Sequence, residues 1–265
     1  MCLMAWIWQP EKDIPLLLIS NRDEFYARPA QALHWWGNEP ILAGKDLQAG
    51  GSWLGVSPGG RLAALTNYRA PADQRSNTPS RGELVAQFLT SDLDASRFLE
   101  VLAPRAGDYN PFNLLLFDGQ RLMGLESRGG KSFDIASGPG AVSNADFQTP
   151  WPKLVRLKKG LQNLAEAERT DDASLLTLLQ DRRVAPVAEL PSTGLPVERE
   201  RALSAAFIAS PDYGTRACSV VRLGQQHVEF VEHSYDAHGA AGEQRQWFTR
   251  SAPVLKRSGL VPAPT

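Results

Sequence analysis

Residue 2 of this chain is a cysteine, and removal of Met1 turns it into the N-terminal residue. Initiator methionine is commonly trimmed when a small residue follows. A cysteine exposed in this way carries a thiol and a free α-amine on one residue. Their ordinary pKa values, about 8.5 for the thiol and about 7.7–8.0 for the amine, let the amine accept the thiol proton near neutral pH. That pairing supplies a nucleophile and its general base without a histidine. The plainer reading of Cys2 is the first residue of a buried strand, since Cys2-Leu3-Met4-Ala5-Trp6-Ile7-Trp8 is almost wholly apolar.

Further along, Asn21-Arg22-Asp23-Glu24 follows an apolar run at Leu16–Ser20, and Glu11-Lys12-Asp13 supplies a polar turn between this run and the first. Two antiparallel strands joined by a short turn bring the end of the second beside the start of the first. Arg22 and Asp23 are therefore expected near Cys2. A guanidinium there favours thiolate, and Asp23 can hold the α-ammonium or orient Arg22. The alternative is an Arg–Asp pair that only anchors a turn.

A thiolate adding to a carbonyl creates an oxyanion that needs preorganised donors. Asn67, in Leu65-Thr66-Asn67-Tyr68-Arg69, and Asn144, in Val142-Ser143-Asn144-Ala145-Asp146, each end an expected strand. Either can donate, as can the backbone of Tyr68, although asparagine after a strand is by default a turn former. Arg216, in Tyr213-Gly214-Thr215-Arg216, is a candidate second cation or a solvent-facing strand cap. Trp35, Trp36, Trp53 and Phe147 are candidate pocket walls.

The elements that must position these residues follow from pattern. Cys2–Trp8 and Leu16–Ser20 read as strands, as do Trp53–Ser57 and Arg61–Asn67 around Pro58-Gly59-Gly60. Ser80-Arg81-Gly82-Glu83 has capping-box spacing ahead of a helix, and Ala95–Leu102 makes another. Asn113–Phe117 and Arg121–Glu126 form a hairpin about Asp118-Gly119, and Ala141–Ser143 is a short strand. Pro152 suits the first turn of a helix whose buried face is Leu154, Leu157, Leu161 and Leu164. Ser174–Gln180 and Glu198–Ile208 are further helices. Cys218–Arg222 and Val228–Glu232 return to strand. Runs of strands and runs of helices are the order of a segregated α+β fold, served by two antiparallel sheets face to face with helices outside.

Length and composition agree with one domain over residues 1–252 and a proline-containing tail at 253–265. The 265 residues carry a formal charge of −1 and are 43% hydrophobic and 22% charged. Near-neutral charge argues against general nucleic-acid binding. No apolar run reaches the roughly 20 residues of a membrane-spanning helix, and no basic region precedes an early apolar stretch, so a cytoplasmic chain without a membrane span is expected. Cys2 and Cys218 are the only cysteines, which fits a reducing compartment. His34, His227, His233 and His238 lack ligand spacing, and nothing calls for a metal or another cofactor.

Asn21-Arg22-Asp23-Glu24 is the motif that names the NRDE family, the relatives of transport and Golgi organisation protein two. Gly51-Ser52-Trp53-Leu54-Gly55-Val56, Leu65-Thr66-Asn67-Tyr68-Arg69, Ser80-Arg81-Gly82, Asn110-Pro111-Phe112-Asn113-Leu114-Leu115, Ser143-Asn144 with Thr149-Pro150-Trp151-Pro152-Lys153, and Tyr213-Gly214-Thr215-Arg216 resemble its later blocks. The resemblance runs from Cys2 to about Tyr235. That family in turn resembles the N-terminal-nucleophile (Ntn) hydrolases of the bile-salt hydrolase and penicillin V acylase branch. The resemblance implies a four-layer αββα sandwich and cleavage of an amide C–N bond. It implies that Cys2 is the nucleophile, with Arg22, Asp23, Asn67, Asn144 and Arg216 as catalytic residues and Tyr68, Trp53, Phe147 and Trp35 as the substrate-binding wall. The expected partner is a small amide or acyl substrate. A non-catalytic carrier of haem or a lipid, using the same aromatic-walled pocket, is the competing expectation. The family carries small hydroxyl residues after Gly-Thr-Arg, where this chain has Ala217-Cys218-Ser219.

Overall fold

The computed structural model describes residues 2–251; the tail expected at 253–265 lies outside the described residues. Thirteen strands and five α-helices are found among them. One sheet has six strands in the order β10-β1-β2-β11-β12-β13. These are Gly138–Val142, Cys2–Trp8, Leu16–Phe25, Tyr213–Leu223, His227–Asp236 and Gly239–Thr249. The other has seven strands in sequential order, β3 to β9. They are Ala30–Trp35, Leu42–Asp46, Leu54–Val56, Leu62–Asn67, Phe112–Phe117, Leu122–Glu126 and Lys131–Asp134. Every pairing in both sheets is antiparallel.

Three apolar clusters define the layers. Met4, Trp6, Leu18, Trp53, Leu62, Leu115 and Phe230 meet between the two sheets. The outer face of the seven-stranded sheet is covered by α1 (Glu83–Thr90) and α2 (Ala95–Leu102), through Leu84, Phe88, Phe98 and Leu99. The outer face of the six-stranded sheet is covered by α3 (Pro152–Glu166) and α4 (Asp172–Leu179), through Leu154, Leu157, Leu161 and Leu175. This is a four-layer αββα sandwich, as expected. No helix among the described residues is long and apolar enough to cross a membrane.

Several elements differ from the sequence reading. β2 runs to Phe25 rather than ending at Ser20, so Asn21-Arg22-Asp23-Glu24 lies inside a strand. Polar side chains there find tertiary partners, which the local pattern does not reveal. α1 begins at Glu83 with Gly82 at its N-cap and no side-chain cap. The capping-box spacing is therefore unused; Ser80 contributes only its carbonyl, which accepts from the Glu83 N–H at 3.1 Å. The helix expected at Glu198–Ile208 is only Val197–Ala202, designated α5, because Leu203–Ile208 turn inward and bury their side chains. β3, β4, β9 and β13 lacked a clear alternating signal; β13 in particular is mostly exposed at a sheet edge.

Asn21 shows how the motif serves the fold. It is fully buried, and its amide donates to the carbonyls of Leu179 and Ala206, both at 2.8 Å. The strand is thereby tied to the helical layer beneath it. Replacing Asn21 with Ala strands both carbonyls and is expected to cost about 2 kcal/mol or more, read as a lower urea midpoint at unchanged m. A variant as stable as the parent would show that this clamp is dispensable.

Candidate functional site

β1 and β2 pair with Cys2 opposite Arg22 and Leu3 opposite Asn21. Successive side chains of a strand point to opposite faces. Cys2, Met4 and Trp6 therefore enter the space between the sheets, while Leu3, Ala5 and Ile7 face the helical layer. The same alternation divides the motif. Arg22 shares the Cys2 face, and Asn21 and Asp23 take the other.

β11 repeats this division by means of a bulge. Thr215 pairs with Asp23 and Ala217 pairs with Arg22, leaving Arg216 as the extra residue. Thr215 Oγ1 donates to Asp23 Oδ1 at 2.7 Å, and the Tyr213 hydroxyl donates to the Asp23 carbonyl at 3.1 Å.

Cys2, Arg22, Asp23, Trp53 and Asn67 border one cavity of about 610 Å³. Its other walls include Glu24, Arg28, Asp46, Ser52, Arg75 and Arg81, so the lining is largely polar. The wall depends on a close backbone approach between Gly51 and Gly82. A Cβ on Gly51 would lie 2.3 Å from the Gly82 carbonyl carbon. Only glycine fits at that contact.

Arg22 is held in place from two directions. Its Nη2 lies 3.3 Å from Asp46 Oδ2, and its guanidinium sits 4.2 Å from the centroid of the Trp53 ring. Asp46 also accepts from Arg28 Nε at 2.7 Å. Arg22 therefore reaches Cys2 already shared with a carboxylate. Burial pushes the Cys2 thiol up and Asp23 and Glu24 add to the rise, while the chain's N-terminal ammonium and, more weakly, Arg22 oppose it. The expected net stabilisation of thiolate by Arg22 is thus outweighed by desolvation.

Other expected site residues are placed differently. Asn67 is half-buried at the cavity, and its carbonyl accepts from Asn144 Nδ2 at 2.8 Å. Asn144 is fully buried and lies behind Asn67, outside the cavity wall. The Tyr68 N–H donates to the Pro111 carbonyl at 2.9 Å, so the Tyr68 backbone is not an available oxyanion donor. Tyr68 instead borders a neighbouring recess with Arg69 and Arg199. Arg216 donates to the carbonyls of Phe25, Tyr26, Arg28 and Tyr235, and it lines a separate cavity beyond Arg22 and Trp53. Phe147 packs edge-on against Trp6 and Phe133 in the core, and Trp35 packs on Phe248. Trp36 is buried under the other helical layer. Of the four expected aromatic walls only Trp53 borders the Cys2 cavity. Cys218 is fully buried on the helix side of β11, where burial pushes its thiol well up.

The structure also brings forward charged residues to which the sequence reading gave no role. Arg81 and Arg75 line the cavity and donate to backbone carbonyls of Pro111, Gly107 and Tyr109. Neither is among the described carboxylate pairs. Arg81 feels Cys2 and Glu24 as its strongest favourable charges. Behind the site, Arg69 and Glu200 form a buried ion pair at 2.6 Å, with Thr193 donating to Glu200 and the Arg69 N–H donating to the Asn144 carbonyl at 2.7 Å. The chain Asn67–Asn144–Arg69–Glu200 thus fastens the cavity rim to α5. Lys153, in the first turn of α3, is fully buried, and burial pushes its amine down to about 8. Repeated apolar spacing identified α3, but a lysine among those residues reads as a solvated position.

Glu232 lies between the sheets in the second cavity, of about 310 Å³, which shares Arg22 and Trp53 with the first. Its Oε1 accepts from the Leu33 N–H at 2.8 Å, while Oε2 is buried without a hydrogen bond. Burial pushes its carboxyl up to about 7, against the pull of the Leu33 N–H and Arg22. An acid raised on folding binds its proton more tightly in the native state than in the unfolded chain. Stability from this group is therefore highest below about pH 4.5, declines as pH rises toward about 7, and is flat above that. The expected loss across this window is about 3 kcal/mol, and Glu232→Gln should remove it from a chemical-denaturation series against pH. An identical pH slope in the variant would exclude the assignment.

Comparison with known proteins agrees with this geometry at the level of fold. The protein is 36% identical over 261 residues to the bovine (Bos taurus) transport and Golgi organization protein 2 homolog, covering 88% of this chain and 93% of the relative. It is 33% identical over 257 residues to the mouse (Mus musculus) homolog, with the same coverage. Among solved structures it is similar to the C2A variant of conjugated bile acid hydrolase from Clostridium perfringens. That match has a TM-score of 0.51 at 10% identity and covers 94% of this chain and 92% of the other, a likeness of fold alone. The Transport and Golgi organisation 2 family model matches residues 1–237, and the chain belongs to that family.

Proposed function

We propose that this protein is an Ntn-type cysteine hydrolase that cleaves the C–N bond of a small amide, with Cys2 as nucleophile after removal of Met1. The observation that carries this reading is the cavity that Cys2 shares with Arg22, Asn67 and Arg81. In this reading the Cys2 sulfur attacks the amide carbon while the α-amine takes the thiol proton. The burial that raises the thiol makes this transfer during attack essential. The Asn67 side-chain amide donates to the oxyanion, and Asn144 holds the Asn67 backbone. The ammonium then returns its proton to the departing amine, leaving a thioester. Water attacks that thioester with the amine again as base. The carboxylic acid leaves, and the thiol and amine are regenerated.

The polar lining favours this chemistry over carriage of haem or a lipid, which would need the aromatic walls that lie elsewhere in the fold. The conjugated bile acid hydrolase is consistent support, since its fold is similar and it is named for a hydrolytic reaction.

Intact mass spectrometry should show Met1 absent, and an iodoacetamide adduct should map to Cys2 and not to Cys218. Across a panel of small N-acyl amides, Cys2→Ala is expected to abolish release of amine while shifting Tm by no more than a few degrees. Retention of Met1, or turnover by Cys2→Ala equal to that of the parent, would overturn the proposal. Arg81→Gln is expected to slow Cys2 alkylation at pH 7, since it removes a cation from the cavity that Cys2 borders. An unchanged rate would remove Arg81 from the site's electrostatics.

A further inference from the structure

The segment joining β6 to α1 carries Arg75 and Arg81, and both residues line the cavity that Cys2 borders. The backbone of this segment is pinned at both ends. The Arg75 N–H donates to Asn110 Oδ1 at 2.7 Å, and Asn110 Nδ2 donates back to the Arg75 carbonyl at 2.8 Å and to Thr78 Oγ1 at 3.0 Å. Beyond Arg81, the Gly82 carbonyl accepts from the Ser52 N–H at 3.1 Å, next to the close approach of Gly51 and Gly82. Two of the sequence blocks, Ser80-Arg81-Gly82 and Asn110-Pro111, therefore meet beside the cavity.

The side chains are anchored as well. Arg75 Nη2 donates to the carbonyls of Gly107 and Tyr109, at 2.8 and 2.5 Å, and Arg81 Nη1 donates to that of Pro111 at 3.1 Å. Each guanidinium is thus fixed through one nitrogen, and its other nitrogens make no hydrogen bond among the described residues. The other two guanidinia of the cavity are matched. Arg22 and Arg28 lie 3.3 and 2.7 Å from Asp46, and Arg28 lies 3.9 Å from Glu24. Asp46 also accepts from the N–H groups of Gln48 and Ala49, and Glu24 from that of Phe25. Arg75 and Arg81 have no such carboxylate among the described residues. Both are drawn onto one short stretch of backbone, 107–111, where like charges oppose each other. Burial further disfavours the Arg81 charge, a cost that an anion beside it offsets. A guanidinium anchored on one side with donors to spare is a preorganised fork for carboxylate or phosphate oxygens.

We propose that Arg75 and Arg81 form an anion subsite in the Cys2 cavity, so that the amide cleaved at Cys2 carries a carboxylate or phosphate group. This rests on the reading of Cys2 as the nucleophile. The subsite has no part in the bond changes there. It selects which amides enter and holds their charged end while the carbonyl lies at the sulfur.

The test compares alkylation of Cys2 in the full-length protein by iodoacetate, which is anionic, and by iodoacetamide, which is neutral and nearly the same size. Both consume the same thiolate, so the ratio of their rates is independent of the thiol pKa. The reference is a short peptide with an N-terminal cysteine. The iodoacetate/iodoacetamide ratio at Cys2 is expected to exceed that of the peptide by about tenfold, the lower end of what focusing in a charged cleft gives. Arg75→Gln and Arg81→Gln should each lower it, the double variant should bring it to the peptide's value, and added salt should do the same in the parent. Succinate and inorganic phosphate, at equal ionic strength, should slow the iodoacetamide reaction, and the better protector identifies the anion as carboxylate or phosphate. If the double variant does not fold, Arg75→Gln decides, since this residue is exposed. A parent ratio equal to the peptide's, or one unmoved in folded Arg75→Gln, overturns the proposal. The nucleophile reading fails on a Met1-retaining mass, whatever the ratio, whereas the anion subsite fails on the ratio, whatever the mass.

Discussion

The pairing of β1 with β2, which sets Cys2 opposite Arg22, is the constraint on which the site depends. Strand alternation then fixes where each neighbouring charge goes. Arg22 is directed between the sheets, where Asp46 and Trp53 hold it at the cavity. Asp23 is directed to the helix side, where the Thr215 hydroxyl donates to it. One sheet thus divides the charges around a single residue between its two faces. A slip of one residue in this register would exchange them.

Burial dominates the energetics of both environments. Desolvation is the largest influence on Cys2, Asp23, Lys153 and Glu232, and in each case it moves the group toward neutrality. Neighbouring charges reduce these shifts without reversing them. The site is therefore not a simple thiolate–guanidinium pair. Proton positions within it are set by a few compensating charges, most of them supplied by elements distant in sequence.

The layered architecture was legible in the sequence because alternation and helical spacing are local signals. Cys2–Trp8, the Asp118-Gly119 hairpin and the Leu154–Leu161 face of α3 all followed from them. The polar continuation of β2 was not, because Asn21, Arg22 and Asp23 are satisfied only by residues brought together in three dimensions. For the same reason Asp46, Arg81, Lys153 and Glu232 went unnoticed as members of the site. Their types are ordinary on a surface, and only their burial or their place on the cavity wall makes them informative. Arg216 was plausible from its position after a strand, yet the bulge at that residue sends its guanidinium to four backbone carbonyls. The one partly visible signal was the Gly51 and Gly82 pair, whose glycines permit the backbone contact at the cavity wall.

Cys2 is the first residue of a strand that is buried along its whole length and paired on both sides, with β2 from Cys2 onward and with β10 from Met4 onward. A peptidase needs an extended backbone with its hydrogen-bonding groups free, and a strand captured in a sheet has already committed them. On the proposed reading of Cys2, trimming ahead of it is least hindered before this strand is captured, when the nascent end is still free. The competence of such a site would then depend on the order of two events, processing and sheet closure.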